Sequence, residues 1–264
     1  MLETMELEIL GSGTSHGIPV IGCTCAVCTS KDPRDNRMRS SAVIRDDDGT
    51  VILIDAGPEF RLQALRAHIT HLDALLITHA HADHIHGLDD IRIFTTHADM
   101  PLYAGTSFIE EIRERFSYIF RETQIGGGKP HLALIPVNGD EELIVAGKKI
   151  IPIPLLHGKL NILGWRIGDT AYLTDCNAVP ENSIKLLAGV RNLVIDALRL
   201  RAHSTHFSFT DVLPLIDRIK PENTWFTHLC HDFAHTEIKK WIAENAPGKK
   251  IEPAFDGLRI SIKY

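Results

Sequence analysis

Residues 78 to 87 read Thr-His-Ala-His-Ala-Asp-His-Ile-His-Gly. Within them His79, His81, Asp83 and His84 fall in the spacing His-x-His-x-Asp-His, directly after an apolar run that predicts a buried strand over Asp73 to Thr78. Imidazole and carboxylate groups suit Zn²⁺, and also Fe or Mn when oxygen ligands contribute. A spacing of two in an extended turn points His79 and His81 the same way. Asp83 and His84 lie further along and can reach a second ion. Two ions about 3.5–4 Å apart need more ligands than these four, and His157, Asp175 and His228 supply them. The plain alternative is a solvated, histidine-rich loop. It is the better account of one histidine, but not of four ligand-type residues in six positions. His86, His97, His131 and His235 carry no such inference and are expected at the surface or at helix caps.

A second cluster is Gly22-Cys23-Thr24-Cys25-Ala26-Val27-Cys28. In a reducing compartment, three thiols at this density point to metal ligation before disulfides. A closed structural zinc site wants four ligands. His231, three residues after His228, is the best fourth candidate, and Cys230 is its rival. Three reduced, partly buried thiols remain the bland alternative.

These residues need elements to position them. Short strands are predicted over Glu6 to Leu10, Ala42 to Arg45 and Val51 to Ile54, the last two joined as a hairpin at Asp48-Gly49. Helices are predicted over Pro58 to His68, with Phe60, Leu62 and Leu65 on its apolar side, and over Thr106 to Arg121. In the second half, strands Ile150 to Leu156, Ala171 to Thr174, Leu193 to Ala197, Thr224 to Thr227 and Leu258 to Ile262 are interleaved with helices Thr210 to Lys220 and Thr236 to Glu244. The class is therefore α/β or α+β, with helices covering sheets. Asp55, His79, Asp175 and His228 each follow the end of a predicted strand, so they converge at one edge of a sheet. The closest thing to a break is Gly126-Gly127-Gly128, and one domain over 1–264 is the simplest division. The segment from Pro101 to Pro136 carries no motif and is expected to form a lid or one wall of the pocket.

The chain has 264 residues, 44% hydrophobic and 23% charged, as in an ordinary globular protein. No apolar run approaches the roughly 20 residues needed to span a bilayer. Met1 to Leu10 holds three glutamates and no basic residue, unlike a secretory signal, so a cytoplasmic location is expected, with no membrane partner. A net charge of −6 argues against nucleic-acid tracks. A small anionic substrate stays compatible, because bound metals reverse the local field. A homodimer is left open.

The motif from His79 to His84 resembles the signature of the metallo-β-lactamase superfamily, and the resemblance covers nearly the whole chain. Asp55-Ala56-Gly57, His157 in Leu-Leu-His-Gly, Asp175 in Leu-Thr-Asp-Cys and His228 in Phe-Thr-His-Leu match the other motifs of that family. The resemblance implies an αββα sandwich and two catalytic divalent metals, Zn, Mn or Fe. His79, His81 and His157 would hold one, Asp83, His84 and His228 the other, with Asp175 bridging and a hydroxide between. Asp55 would orient a ligand histidine, while Thr78 and Thr174 are expected to be packing or loop residues.

The opening Gly11-Ser12-Gly13-Thr14-Ser15-His16-Gly17-Ile18-Pro19, the cysteine cluster, Thr-His-x-x-His at 227 to 231 and Phe255-Asp256-Gly257 resemble the cyclic phosphodiesterases of the carbon–phosphorus lyase pathway. That group implies a structural zinc on Cys23, Cys25, Cys28 and His231. It also implies a histidine acting near the leaving group. His206 is the choice, since the segment after it aligns best with the following helix, and His203 is the alternative. The implied function is hydrolysis of small, cyclic or nucleotide phosphodiesters, with Asp83 and His206 in catalysis. Processing of tRNA 3′ ends, the pyrroloquinoline quinone branch, iron-dependent redox chemistry and a non-catalytic metal module are the competing readings.

Overall fold

Period-two alternation builds the centre of the molecule. In β1 (Met5–Gly11), Met5, Leu7 and Ile9 face one side. They meet Ile44 of β2 (Ser41–Arg45), Ile52 and Ile54 of β3 (Val51–Ile54) and Leu76 of β4 (Ala74–Leu76). The sheet continues through β5 (Met100–Gly105) and β6 (Leu132–Val137). The second sheet contains β7 (Leu143–Val145), β8 (Lys148–His157), β9 (Leu160–Ile167), β10 (Thr170–Leu173), β11 (Asn192–Asp196), β12 (Asn223–Thr227) and β13 (Ile251–Pro253). β14 (Arg259–Ile262) returns to pair with β1. The orders are β14-β1-β2-β3-β4-β5-β6 and β13-β12-β11-β10-β9-β8-β7. The computed structural model describes residues 5–264 except 97, 123–127 and 140.

Trp165, Ile167, Tyr172 and Val194 of the second sheet share a buried cluster with the inward residues of the first. The two sheets therefore pack face to face, as two apolar faces must. Each such side chain, fully buried, contributes about 1.5–3 kcal/mol. Helices cover the outer faces: α1 (Phe60–Arg66), α2 (Ala82–Ile85), α3 (Thr106–Arg115) and α4 (Ser117–Phe120) on the first sheet, α5 (Glu181–Leu186), α6 (Phe209–Ile219) and α7 (His235–Asn245) on the second. This is an αββα sandwich. Among the described residues, no helix is long and apolar enough to cross a membrane.

Four expectations are corrected. In α1 the buried residues are Phe60, Gln63 and Ala64, while Leu62 and Leu65 stand 50% and 59% exposed. The inward face follows positions i, i+3 and i+4 from Phe60, and Gln63 earns its buried place by donating to the Arg39 carbonyl at 2.9 Å. The single helix over Thr106 to Arg121 breaks at Phe116 into α3 and α4. The segment from Pro101 to Pro136 is largely the edge of the first sheet, as β5 and β6 with α3 between them, and not a lid. His235, expected at the surface or at a helix cap, lies at the first position of α7 next to its N-cap, but it is buried. The expectations for His97 and for Gly126-Gly127 fall outside the described residues.

β3, β4, β5 and β6 run parallel, as do β10, β11, β12 and β13. Their C-terminal ends lie at one edge of the sandwich, the usual place for a site in a parallel sheet.

Candidate metal centre

Each side chain of the centre is delivered by a strand end. β3 stops before Asp55, β10 before Asp175 and β12 before His228. All three residues adopt left-handed backbone, with φ of 59°, 57° and 58°. Non-glycine residues avoid this conformation, and such strain concentrates at functional sites. It turns the chain sharply as it leaves the sheet.

The histidine motif spans two kinds of backbone. His79 and His81 lie in the turn after β4, and Asp83 and His84 lie in the single turn of α2. Ala56 N donates to His84 O at 2.8 Å, and Gly87 N donates to Ala56 O at 2.8 Å. Gly57 has to be glycine here, because a Cβ would stand 2.2 Å from the Asp83 carbonyl oxygen. Arg115 of α3 donates to Ala80 O at 2.8 Å, and the Phe108 ring lies 6.4 Å from His79, so α3 backs the loop.

Asp55 organises the buried side. It accepts from Thr78 N and Thr78 Oγ1, both at 2.8 Å, and its Oδ2 lies 2.7 Å from His84 Nδ1. With Nδ1 committed to that carboxylate, His84 presents its Nε2 inward. His84 Nε2 and Asp83 Oδ2 are buried and have no hydrogen-bond partner, though they sit 3.2 Å apart. His84 Nε2 is also 3.3 Å from Asp175 Oδ2. On the other side, His79 Nε2 lies 2.9 Å from His81 Nδ1 and 3.5 Å from Asp175 Oδ2. The Thr205 carbonyl, 3.0 Å from His157 Nδ1, holds that ring with Nε2 free.

Two groups of ligand atoms result, each with all atoms within 4.8 Å: His79, His81, His157 and Asp175, and His84, Asp175 and His228. Asp175 is common to both, and Asp83 stands against His84 of the second. Burial alone would raise the Asp175 pKa, but the surrounding His228 and His84 hold it well below the carboxylate range. Burial holds His79 neutral. Burial disfavours the charged form of His84 too, yet Asp175, Asp55 and Asp83 outweigh it and raise its pKa. Three buried carboxylates converging on imidazoles form a site that calls for cations, since buried negative charge is costly without them. The nitrogen and oxygen donors fit Zn, Mn or Fe.

The cysteine knuckle sits in the connection from β1 to β2. The Sγ atoms of Cys23, Cys25 and Cys28 lie 3.4, 3.5 and 3.4 Å from His231 Nδ1. A tetrahedral zinc with Zn–S near 2.3 Å and Zn–N near 2.0 Å has S···N edges of about 3.5 Å, so the set fits. The Cys28 amide donates to Cys25 Sγ and, as the largest cause, lowers that thiol to about 6. None of the five cysteines forms a disulfide. Cys230 Sγ instead accepts from Asp232 N at 3.4 Å.

His206 Nδ1 lies 2.8 Å from Asp196 Oδ2. The His206 ring stacks on His228 at 4.8 Å and stands 4.9 Å from His157, over the centre. His203 is exposed, and its Nδ1 is occupied by Thr205 Oγ1 at 3.1 Å. Four contributors escaped the sequence reading. Asp196 ends β11 as Asp55 follows β3, a signal that was available. Thr14 Oγ1 at 2.9 Å and Ser40 Oγ at 3.0 Å grip the two nitrogens of His228. Thr78 hydrogen-bonds Asp55, so it does more than pack. Nothing in their residue types marks Thr14, Ser40 or Thr78 in advance.

A family model described as the beta-lactamase superfamily domain matches residues 50–229. The octanoyltransferase of Porphyromonas gingivalis is 39% identical over 98% of this chain, but the chain spans only 52% of that relative's length. Coenzyme PQQ synthesis protein B of Methylobacterium nodulans is 30% identical over 73% of this chain and 72% of its own. The crystal structure of a new diphosphatase from the PhnP family superposes with a TM-score of 0.88, at 40% identity over 98% of this chain and 97% of that one. Matched by the superfamily model over more than half its length, and similar to that diphosphatase from end to end, the chain belongs to the beta-lactamase superfamily and, within it, to the PhnP family.

Proposed function

We propose that the chain is a metal-dependent hydrolase of small phosphodiesters. The observation that carries this reading is the position of Asp175, shared by two ligand groups, beneath a histidine–aspartate pair that belongs to neither. In this reading His79, His81 and His157 hold one divalent cation and Asp83, His84 and His228 the other, Zn, Mn or Fe, with Asp175 on both. Cys23, Cys25, Cys28 and His231 hold a structural zinc. Two cations bound there supply a nucleophile at neutral pH and offset charge on the phosphoryl oxygens. The chain's own residues do the rest. Asp55 and the Thr205 carbonyl fix the tautomers of His84 and His157. Asp196 accepts the Nδ1 proton of His206 and leaves Nε2 to deliver a proton to the departing oxygen. The likeness to a PhnP-family diphosphatase supports phosphoryl chemistry.

A screen of bis(p-nitrophenyl) phosphate, cyclic nucleotides, a β-lactam and a thioester, run with metal analysis, tests the reading. Hydrolysis confined to the β-lactam or the thioester sinks it. The thioester also asks whether this half of the Porphyromonas gingivalis relative carries its acyl chemistry. No turnover of any substrate would favour the cofactor-biosynthesis reading that the 30% identical relative supports. Within the screen, His206→Ala tests the acid. An alkoxide leaving group needs a proton and p-nitrophenolate needs little help, so the variant should lose about 10²–10⁴-fold on a ribose phosphodiester and much less on bis(p-nitrophenyl) phosphate. Equal losses would assign His206 to binding or packing, and a lost metal would make it a ligand.

A further inference from the structure

The loop that carries His206 is tied down by a side chain from outside both ligand groups of the centre. Asn177 stands two residues after Asp175, in the turn that follows β10. Its Oδ1 accepts from Gly158 N at 2.8 Å, and its Nδ2 donates to Ser204 O at 3.1 Å. A backbone N–H only donates and a carbonyl only accepts, so a single orientation of the amide satisfies both. Asn177 thereby joins the turn after His157 to the loop from His203 to His206.

Other contacts turn this junction into a frame. Asn177 N donates to Leu156 O at 2.9 Å and Leu156 N donates to Ala178 O at 3.0 Å, which locks the residue to the end of β8. The Thr205 carbonyl lies 3.0 Å from His157 Nδ1. A Cβ on Gly158 would stand 2.9 Å from Thr205 Cγ2, so the two turns are pressed together. Beyond His206, Phe207 N donates to Cys176 O at 2.9 Å. The loop is held at Ser204, Thr205 and Phe207, on both sides of His206. His203 and Ser204 are exposed. A segment with so little buried surface depends on hydrogen bonds for its position, and the Ser204 bond is the one that Asn177 supplies.

We propose that Asn177 is a positioning residue, which clamps the loop from His203 to His206 against the His157 turn and so sets His206 where its proton reaches the departing oxygen. The proposal rests on the phosphodiesterase reading and on His206 as its acid. Asn177 acts through His206. A misplacement of about 1 Å in a reacting group costs on the order of 10²-fold in rate. Loss of the clamp is therefore felt where the leaving group needs a proton, and little where it does not.

The test uses the metal-saturated protein. Asn177→Ala should lower kcat on a cyclic nucleotide, whose leaving group is a ribose alkoxide, by about 10–100-fold. On bis(p-nitrophenyl) phosphate the loss should stay below about threefold, with metal content unchanged. Asn177→Asp keeps the acceptor for Gly158 and loses the donor to Ser204. It should show the same split, and it carries the test if the alanine variant does not fold. In a His206→Ala background, Asn177→Ala should cost little more on the cyclic nucleotide, because the two residues act as a unit. Amide exchange of Phe207, followed by NMR, should quicken by about tenfold in Asn177→Ala, for one hydrogen bond lost from the loop. Equal losses on both substrates, no loss on either, additive losses in the double variant or an unchanged exchange rate would each overturn the proposal. If His206→Ala itself shows no split between leaving groups, this inference fails while the hydrolase reading stands. If the wild-type protein cleaves no phosphodiester, that reading fails, and the exchange rate alone decides whether Asn177 holds the loop.

Discussion

The two ligand clusters of this protein are built in opposite ways. The cysteine knuckle takes three of its four ligands from six consecutive positions in a surface connection, and its residues are half-buried. The histidine–aspartate centre draws on strand ends scattered from residue 55 to residue 228, and His79, His84, Asp175 and His228 are buried in it. The knuckle has little apolar surface to bury, so a bound metal would stand in for a core. The centre rests on two packed sheets and on hydrogen bonds from Asp55, Ser40 and Thr205 that orient its ligands before any ion arrives. One cluster therefore holds its segment together, whereas the other is held by the fold. The two are tied by a buried pair. Arg37 donates to Cys230 O at 2.5 Å and to Phe233 O at 3.0 Å, and its partner Asp35 accepts from His235 N at 2.7 Å. That pair fixes the turn from which both His228 and His231 project.

The largest effect should come from the centre. Asp83→Asn replaces a charged ligand by a neutral, poorer one and should cost about 10³-fold in hydrolysis, corresponding to several kcal/mol of charge stabilisation. The melting temperature should hold, and metal analysis should show the centre weakened and the knuckle zinc kept. Near-normal turnover in the metal-replete variant would overturn the assignment of the centre.

Breaking the knuckle should give the reverse pattern. Metal analysis of the wild-type protein should find up to three ions per chain, and Cys25→Ser should lose about one zinc. It should also lower the melting temperature by roughly 10 °C, for a few kcal/mol of site formation coupled to folding. The folded fraction should keep most of its activity. Should zinc content and melting temperature both survive, the knuckle is not a zinc site.

The smallest effect concerns the tie between the two regions. Burial, then the charges of Arg34 and Arg37, lowers the His235 pKa from 6.5 to about 4. The folded state thus holds this imidazole neutral where the unfolded chain would protonate it. Stability linked to His235 is full above pH 6.5 and is lost as pH falls towards 4, because the unfolded state binds the extra proton. His235→Gln should flatten that window by on the order of 1 kcal/mol in urea midpoints followed against pH. An unchanged pH slope would show that the tie does not titrate.

The sequence by itself determined what is local. Spacing sufficed for the motif from His79 to His84 and for the cysteine run, because adjacent ligands on a short turn point together whatever surrounds them. Short apolar β-type runs on either side of the Asp48-Gly49 turn sufficed for strands such as Val51–Ile54 and Ala42 to Arg45. Patterning could not set the phase of α1, since Phe60, Leu62 and Leu65 make a plausible stripe until the carbonyl of Arg39 arrives to satisfy Gln63. Nor could it divide the helix at Phe116. Tertiary structure alone decided that Asp196 backs His206 and that Thr14 and Ser40 grip His228. Each of these contacts joins side chains from elements brought together only by sheet packing. Thr14 and His228, separated by 214 positions, meet at 2.9 Å because β1 and β12 leave their two sheets at the same edge. Periodicity records which face of an element is buried, and the neighbours of that face are set by how the sheets stack.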